Sequence, residues 1–135
     1  EKCYFAYHKR TYLISSNNKK IIKSNKKTRL KNAKIAINTF RTTKIKKIRK
    51  FINSFKGIFR ITGCDAYNFC LIAEGKVDVL IESGLKQVDI LPLIPIIENS
   101  GAIITNWRGE KNFKKGDILV TGNPNLHKKL IKIIN

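Results

Sequence analysis

The sequence predicts an α/β protein, a layered domain with a mixed sheet flanked by helices. Two observations carry that expectation. Short runs rich in β-branched and aromatic residues take turns with runs whose apolar residues recur every three or four positions. The chain has 135 residues, enough for one domain and hardly for two, so residues 1–135 are expected to form a single domain, whole or part of one.

Residues 3–14, CYFAYHKRTYLI, read as one strand, or as two with a turn near His8–Arg10. Residues 15–20, SSNNKK, read as a turn or loop. Residues 21–37 are mixed, with a short strand over Ala33–Ile37. A helix is expected from Thr43 to Phe55, because Ile45, Ile48, Ile52 and Phe55 recur at helical steps while lysines fill the other face. Thr43 is its N-cap and Gly57 its end. Residues 58–62, IFRIT, form a strand leading into Gly63.

From Gly63 to Gly109 acidic residues recur at the ends of regular elements. Cys64 to Ala73 is an apolar helix closed by Gly75, and Val77 to Glu82 alternates as a strand does. Asp89 opens a second helix that runs to Gly101. Pro92 falls in its first turn, where a missing N–H is tolerated, and Pro95 should bend it. Residues 102–105 and 117–120 read as strands, with a turn at 106–109. Asn123-Pro124 starts the last helix in the favoured order, N-cap then proline, and Leu126, Leu130, Ile131 and Ile134 form its buried stripe.

This layout puts Asp65 and Asp89 at helix starts and Glu82 at the far end of the strand between them. Helix N-termini carry unpaired N–H groups and a partial positive charge, so they collect carboxylates and phosphates. Three carboxylates near two such ends are what a phosphate-and-metal site would use.

The segments GCDAYNFCLIAEG, VDVLIES and VDILPLIPIIENSGAIITNWRGE resemble the C-terminal half of the inositol monophosphatase family. Within it they are most similar to the histidinol-phosphatase branch, with its G-G-D-x-Y, strand ending in Glu, aspartate-opened proline helix and T-D-W-x-G. The match is good over residues 60–110 and loose elsewhere. The resemblance implies a phosphatase that hydrolyses a small phosphate monoester, histidinol phosphate or inositol phosphate, using Mg2+. That chemistry needs charge neutralisation on the phosphoryl oxygens and an activated water, both of which magnesium supplies when several carboxylates hold it.

Carried over residue by residue, Asp89 matches the one metal-ligating aspartate of the family's C-terminal half, or serves as the N-cap of its own helix. Glu82 matches a glutamate that contacts substrate away from its phosphate, and also reads as a solvated strand-end charge. Gly63 matches the glycine at the substrate-facing helix start, or is an ordinary turn glycine. Asp65 matches the aspartate that could pair with a substrate amino group, or serves its own helix dipole. Arg60 lies where the family often places an arginine near the phosphate, and equally reads as an exposed strand cation. The family's other metal ligands come from a glutamate segment and a D-P-(I/L)-D-G-T segment, and no D-P-x-D-G occurs in this sequence. The resemblance therefore implies a half that is inert without an N-terminal half, in the same longer chain or in a separate one. A homodimer stays open as an assembly. The sequence departs from the pattern at Val88, Pro92, Ala102 and Asn106, where the family has an aromatic, a small residue, glycine and aspartate.

Charge supplies the rival reading. Residues 1–60 hold 19 Lys and Arg against one acid, whereas residues 61–135 hold 9 against 8. Such a basic half suits nucleic-acid phosphates, with residues 19–56 as the binding module, or reflects a lysine-rich composition in which the cations are simply solvated. A split-gene remnant without activity is a third reading. His127, beside Lys128 and Lys129, is expected at the surface. Cys3, Cys64 and Cys70 form no C-x-x-C pair and read as reduced, buried residues of a cytoplasmic protein. No apolar run approaches the ~18 residues of a membrane span, so no membrane partner is expected.

Overall fold

The computed structural model describes residues 1–37, 45–61 and 63–135. The expected Thr43 cap lies outside these. Two sheets and two helical layers alternate through the molecule. The N-terminal sheet is an antiparallel meander of β1 (Lys2–Tyr7), β2 (Arg10–Ser15) and β3 (Asn18–Ile22). Its two tight turns, His8-Lys9 and Ser16-Asn17, place all four residues at positive φ, the mirror-image turn that matches strand twist. The second turn is shorter than the expected loop over 15–20. With only two residues spent on reversal, Asn18–Ile22 is released to form a third strand.

The second sheet has strand order β5-β4-β6-β8-β7, formed by β4 (Lys34–Ile37), β5 (Ile58–Ile61), β6 (Val79–Glu82), β7 (Ile103–Thr105) and β8 (Ile118–Thr121). β4 pairs in parallel with both β5 and β6, while β8 is antiparallel to β6 and β7. The sheet is mixed, as expected. All four residues of β6 are buried, so both faces of this strand are covered.

Helices α1 (Lys46–Ser54) and α5 (Pro124–Ile134) cover one face. Ile48 and Phe51 of α1 and Leu126, Leu130 and Ile134 of α5 join Ile35, Ile37, Val79, Ile81 and Leu119 of the sheet in one core. Helices α2 (Asp65–Ala73) and α4 (Ile94–Asn99) cover the other face and also support the N-terminal sheet. Phe69 and Ile72 of α2 and Ile96 and Ile97 of α4 meet Leu80, Ile104 and Val120 on one side and Leu13 and Ile22 on the other. Thr11 donates to the Ile96 carbonyl at 2.7 Å, tying β2 to α4.

The expected continuous helix from Asp89 to Gly101 is instead three pieces: α3 (Gln87–Ile90), a 3-10 turn (Leu91–Leu93) and α4. Each proline has found an N-terminal position, Pro92 in the 3-10 turn and Pro95 at the start of α4, where no helical donor is lost. Gly101, at φ +87°, ends the run as expected. Two of the three cysteines, Cys3 and Cys64, are exposed rather than buried, because Cys3 shares a sheet face with its exposed partner Ile14 and Cys64 precedes α2 (Asp65–Ala73) in the connecting loop. Only Cys70 is buried, and burial pushes its thiol up to about 11.

Asn123 caps α5 as expected. Its side-chain oxygen accepts from the Leu126 N–H at 3.0 Å, and its amide donates to the Thr28 carbonyl at 3.2 Å. One buried side chain thus fixes both the helix end and the loop before β4. Asn123→Ala is expected to cost about 1–2 kcal/mol, measured as a shift in urea midpoint, because it removes a cap and orphans a loop carbonyl.

The outer face of the N-terminal sheet is open. Tyr7, Ile14 and Ile21 are 60%, 37% and 45% exposed, and Lys19 lies over the stacked rings of Phe5 and Tyr12. Among the described residues no helix is long and apolar enough to cross a membrane.

Candidate active site at the carboxyl edge of the sheet

The direction of the strands decides which residues meet. β4, β5 and β6 are parallel, and β7 runs the same way because it is antiparallel to β8. Their carboxyl ends therefore share one edge. β5 leads through Gly63 into α2 and Asp65. β6 ends on Glu82 and leads through Leu85 into α3 and Asp89. In open α/β sheets, ligands bind in the crevice outside this edge. The topology thus gathers the ends of the elements carrying Gly63, Asp65, Glu82 and Asp89 at one rim.

Glu82 differs from the solvated strand-end charge that was its second reading. It is fully buried and paired in register with Ile118. Strand alternation puts it on the same face as Leu80, the face covered by α2 and α4. Asp65 is the first residue of α2 and is half-buried. Its placement in the first turn is favourable to the helix dipole. Gly63 is exposed, and a Cβ built there would meet nothing within 4 Å, so the backbone at this point is open to approach.

Asp89 is exposed and sits inside the first turn of α3, not at its N-cap. Its Oδ2 accepts from the Lys86 N–H at 3.1 Å, while its own N–H donates to the Lys86 carbonyl at 3.0 Å. The carboxylate closes the first turn of a four-residue helix that has no other side-chain cap. Val88 and Leu91 beside it are 73% and 50% exposed, an apolar rim around the acid. The segment between Glu82 and Asp89 is anchored where the Leu85 N–H donates to the Gly116 carbonyl at 3.2 Å. Arg60 occupies β5 opposite Ala36. Its side chain lies outside the described residues.

Among the described residues no group of three or more His, Cys, Asp and Glu is placed to hold a metal ion. Asp89 by itself offers one exposed carboxylate. The described residues do not on their own fit a magnesium site, which needs several oxygen ligands in near-octahedral array.

Two other polar groups were not legible as buried. His127 is 8% exposed, not a surface residue: its Nε2 lies 2.9 Å from the Thr105 hydroxyl and its Nδ1 3.1 Å from that of Thr121. It falls on the inner side of α5, one position from Leu126, and helix phase shows only that this position borders the stripe. Burial pushes its pKa down to about 4. Asp78, preceding β6, is 4% exposed and its Oδ2 accepts from the Lys34 N–H at 2.9 Å, which pins β4 to β6 at the far edge.

A mixed sheet with helices on both faces defines an α/β protein. A model of the inositol monophosphatase family matches residues 3–135, and the chain belongs to that family. It is 53% identical over 49 residues to the bifunctional phosphatase IMPL2, chloroplastic, of Arabidopsis thaliana, a match covering 36% of this chain and 14% of that protein. It is 30% identical over 70 residues to the histidinol-phosphatase of Chlorobaculum parvum, covering 52% of this chain and 27% of the relative. The solved structure of a Thermotoga maritima IMPase superposes with a TM-score of 0.71 at 19% identity, covering 93% of this chain and 51% of that one. At that identity the likeness speaks to the fold. The chain spans about half the length of such structures and less of the curated relatives it matches.

Proposed function

We propose that this chain supplies the C-terminal portion of a magnesium-dependent phosphomonoesterase acting on a small phosphate ester, histidinol phosphate or inositol phosphate. The observation that carries the reading is the convergence of β5, β6 and their following segments on one rim, with Glu82 buried at the end of β6 and Asp89 exposed in the segment that follows it. Asp89 would give one oxygen to a cation whose other ligands come from an N-terminal half. When bound, that cation would neutralise phosphoryl charge and activate water.

The chain's own residues have separate tasks in this reading. Gly63, with no side chain in the way, lets the phosphate approach backbone at the start of α2. Asp65 would pair with a substrate amino group, and Glu82 would hold a polar group remote from the phosphate. Arg60 would add positive charge beside the ester. The open outer face of the N-terminal sheet, with Tyr7, Ile14 and Ile21, supports a covering partner, and the N-terminal half is the one we assign. Residues 1–135 then act as one partial domain of a cytoplasmic enzyme.

The test is reconstitution. The chain is mixed with a separately expressed N-terminal half of a histidinol-phosphatase-like relative, and phosphate release from histidinol phosphate and inositol monophosphate is followed with magnesium. We expect no turnover from the chain alone, turnover from the pair, and a loss of at least about tenfold in kcat/KM with Asp89→Asn, since loss of even an indirect partner of a metal site costs about 10–100-fold. Equal turnover by wild type and Asp89→Asn pairs would sink the assignment.

A further inference from the structure

A second feature lies at the opposite edge of the same sheet. Thr121 pairs with Val79 at the amino end of β6, so Gly122 and Asn123, which follow, stand at the far edge from Glu82. There a cavity of about 570 Å3 opens between the loop before β4 and the first turns of α5. Its charged lining is Lys26, Lys27, Arg29, Lys128, Lys129 and Lys132, and no carboxylate lines it. A neighbouring cavity of about 640 Å3 shares Arg29, Leu30 and Lys129 with the first and adds Lys31, Lys56 and Phe55. The two abut along these shared residues, and together they form a track lined by eight cations. Among the described residues, the ion pairs are Lys76–Glu74 and Lys111–Glu98, so none of these eight is neutralised by an acid.

The walls are held in place rather than loosely solvated. Ser24 donates to the Gly122 carbonyl at 2.9 Å, and the Asn25 amide to the Thr28 hydroxyl at 2.6 Å. Asn123 bonds both the loop and the helix end. A Cβ at Gly122 would come within 2.7 Å of the Asn25 carbonyl, so loop and strand end are in backbone contact. Cations crowded on a fixed frame repel one another, and an extended polyanion relieves that repulsion along the whole track. Phe55, half-buried at the far end, packs against Phe51 and Phe59, and the part of its ring that lines the cationic path is left to stack on an unpaired base.

We infer that this track binds the phosphodiester backbone of single-stranded nucleic acid. The site differs from the basic module that residues 19–56 suggested in sequence. Half of its lead cations come from α5, and Lys19, Lys20 and Lys46–Lys50 take no part in it. It is independent of the phosphatase rim, from which the sheet separates it.

The experiment uses a 5′-fluorescein-labelled 12-mer of oligouridine and fluorescence anisotropy over a series of KCl concentrations. The variant Arg29→Gln/Lys128→Gln/Lys129→Gln is compared with Lys20→Gln/Lys47→Gln/Lys114→Gln, which removes the same charge from exposed positions elsewhere. Each neutralised phosphate contributes about −0.7 to the slope of log K against log salt for single strands. The track variant is expected to weaken binding at least tenfold and to flatten that slope by about 2. The control is expected to lose less than threefold, and Phe55→Leu to weaken binding with the slope unchanged. Circular dichroism confirms that each variant is folded. Equal losses in the two triple variants would overturn the site in favour of diffuse charge, and so would absence of binding at low salt. Neither result bears on phosphate-ester hydrolysis.

Discussion

Acidification from pH 6.5 to pH 4 is expected to cost the fold about 3 kcal/mol through His127 alone. The imidazole has an ordinary value of 6.5 in the unfolded chain and is pushed down to about 4 by burial in the native state. Between these values the unfolded chain binds the proton and the folded one does not. Stability therefore rises with pH across the window, is complete above pH 6.5, and is lost as pH falls toward 4. The neutral ring sits between two hydroxyls, Thr105 at 2.9 Å and Thr121 at 3.1 Å, and among the described residues no carboxylate is bonded to it to welcome a charge.

Glu74 titrates in a separate range. Burial raises its pKa, but hydrogen bonds from Lys76 and Tyr4 outweigh that and hold it below 4.5, so its contribution is lost only under more acidic conditions. Urea midpoints at pH 7.0, 6.0 and 5.0 for wild type and His127→Gln separate the terms. The wild type should lose stability over this range and the variant should stay nearly flat. Parallel curves would show that the ring is not buried neutral.

Gly116→Ala is expected to destabilise by at least about 3 kcal/mol, and to abolish activity in a reconstituted enzyme even where it folds. Gly116 has φ +70°, a conformation that costs any L side chain. A Cβ there would stand 2.0 Å from the Leu85 carbonyl oxygen and 2.6 Å from its nitrogen. Both neighbours are backbone, so no rotamer change relieves the overlap. Leu85 must move, its hydrogen bond to the Gly116 carbonyl is lost, and the segment from Glu82 to Asp89 moves with it. Gly63→Ala is the control, since its Cβ meets nothing and its φ is not positive. Thermal unfolding of the two variants provides the comparison. A Gly116→Ala protein as stable as Gly63→Ala would show that the two loops do not touch.

The resemblance of three short segments to the family made Gly63, Asp65, Glu82 and Asp89 legible as candidates, and local chemistry made most elements legible around them. Asn123-Pro124 announced the last helix, and Gly75 and Gly101 announced two helix ends, because capping is a matter of adjacent residues. The same locality explains what was misread. Pro92 and Pro95 were seen, but whether they bend one helix or divide it depends on what packs against Ile90, Ile96 and Ile97. Asn18–Ile22 carries two lysines and looked like loop, and it became a strand because β2 offered it a partner. Thr43 and the Arg60 side chain lie outside the described residues.

By itself, then, the sequence determined the layered α/β class, the family, and the order of most elements along the chain, since each follows from residues within a few positions of one another. Tertiary structure alone decided which ends share an edge, that Glu82 is buried while Asp89 is exposed, and that His127 faces inward. It also joined Arg29 to Lys129 across about a hundred residues of sequence. The physical reason is that burial and charge proximity are set by strand direction and helix packing, and pairing between distant strands leaves no periodic trace in either partner.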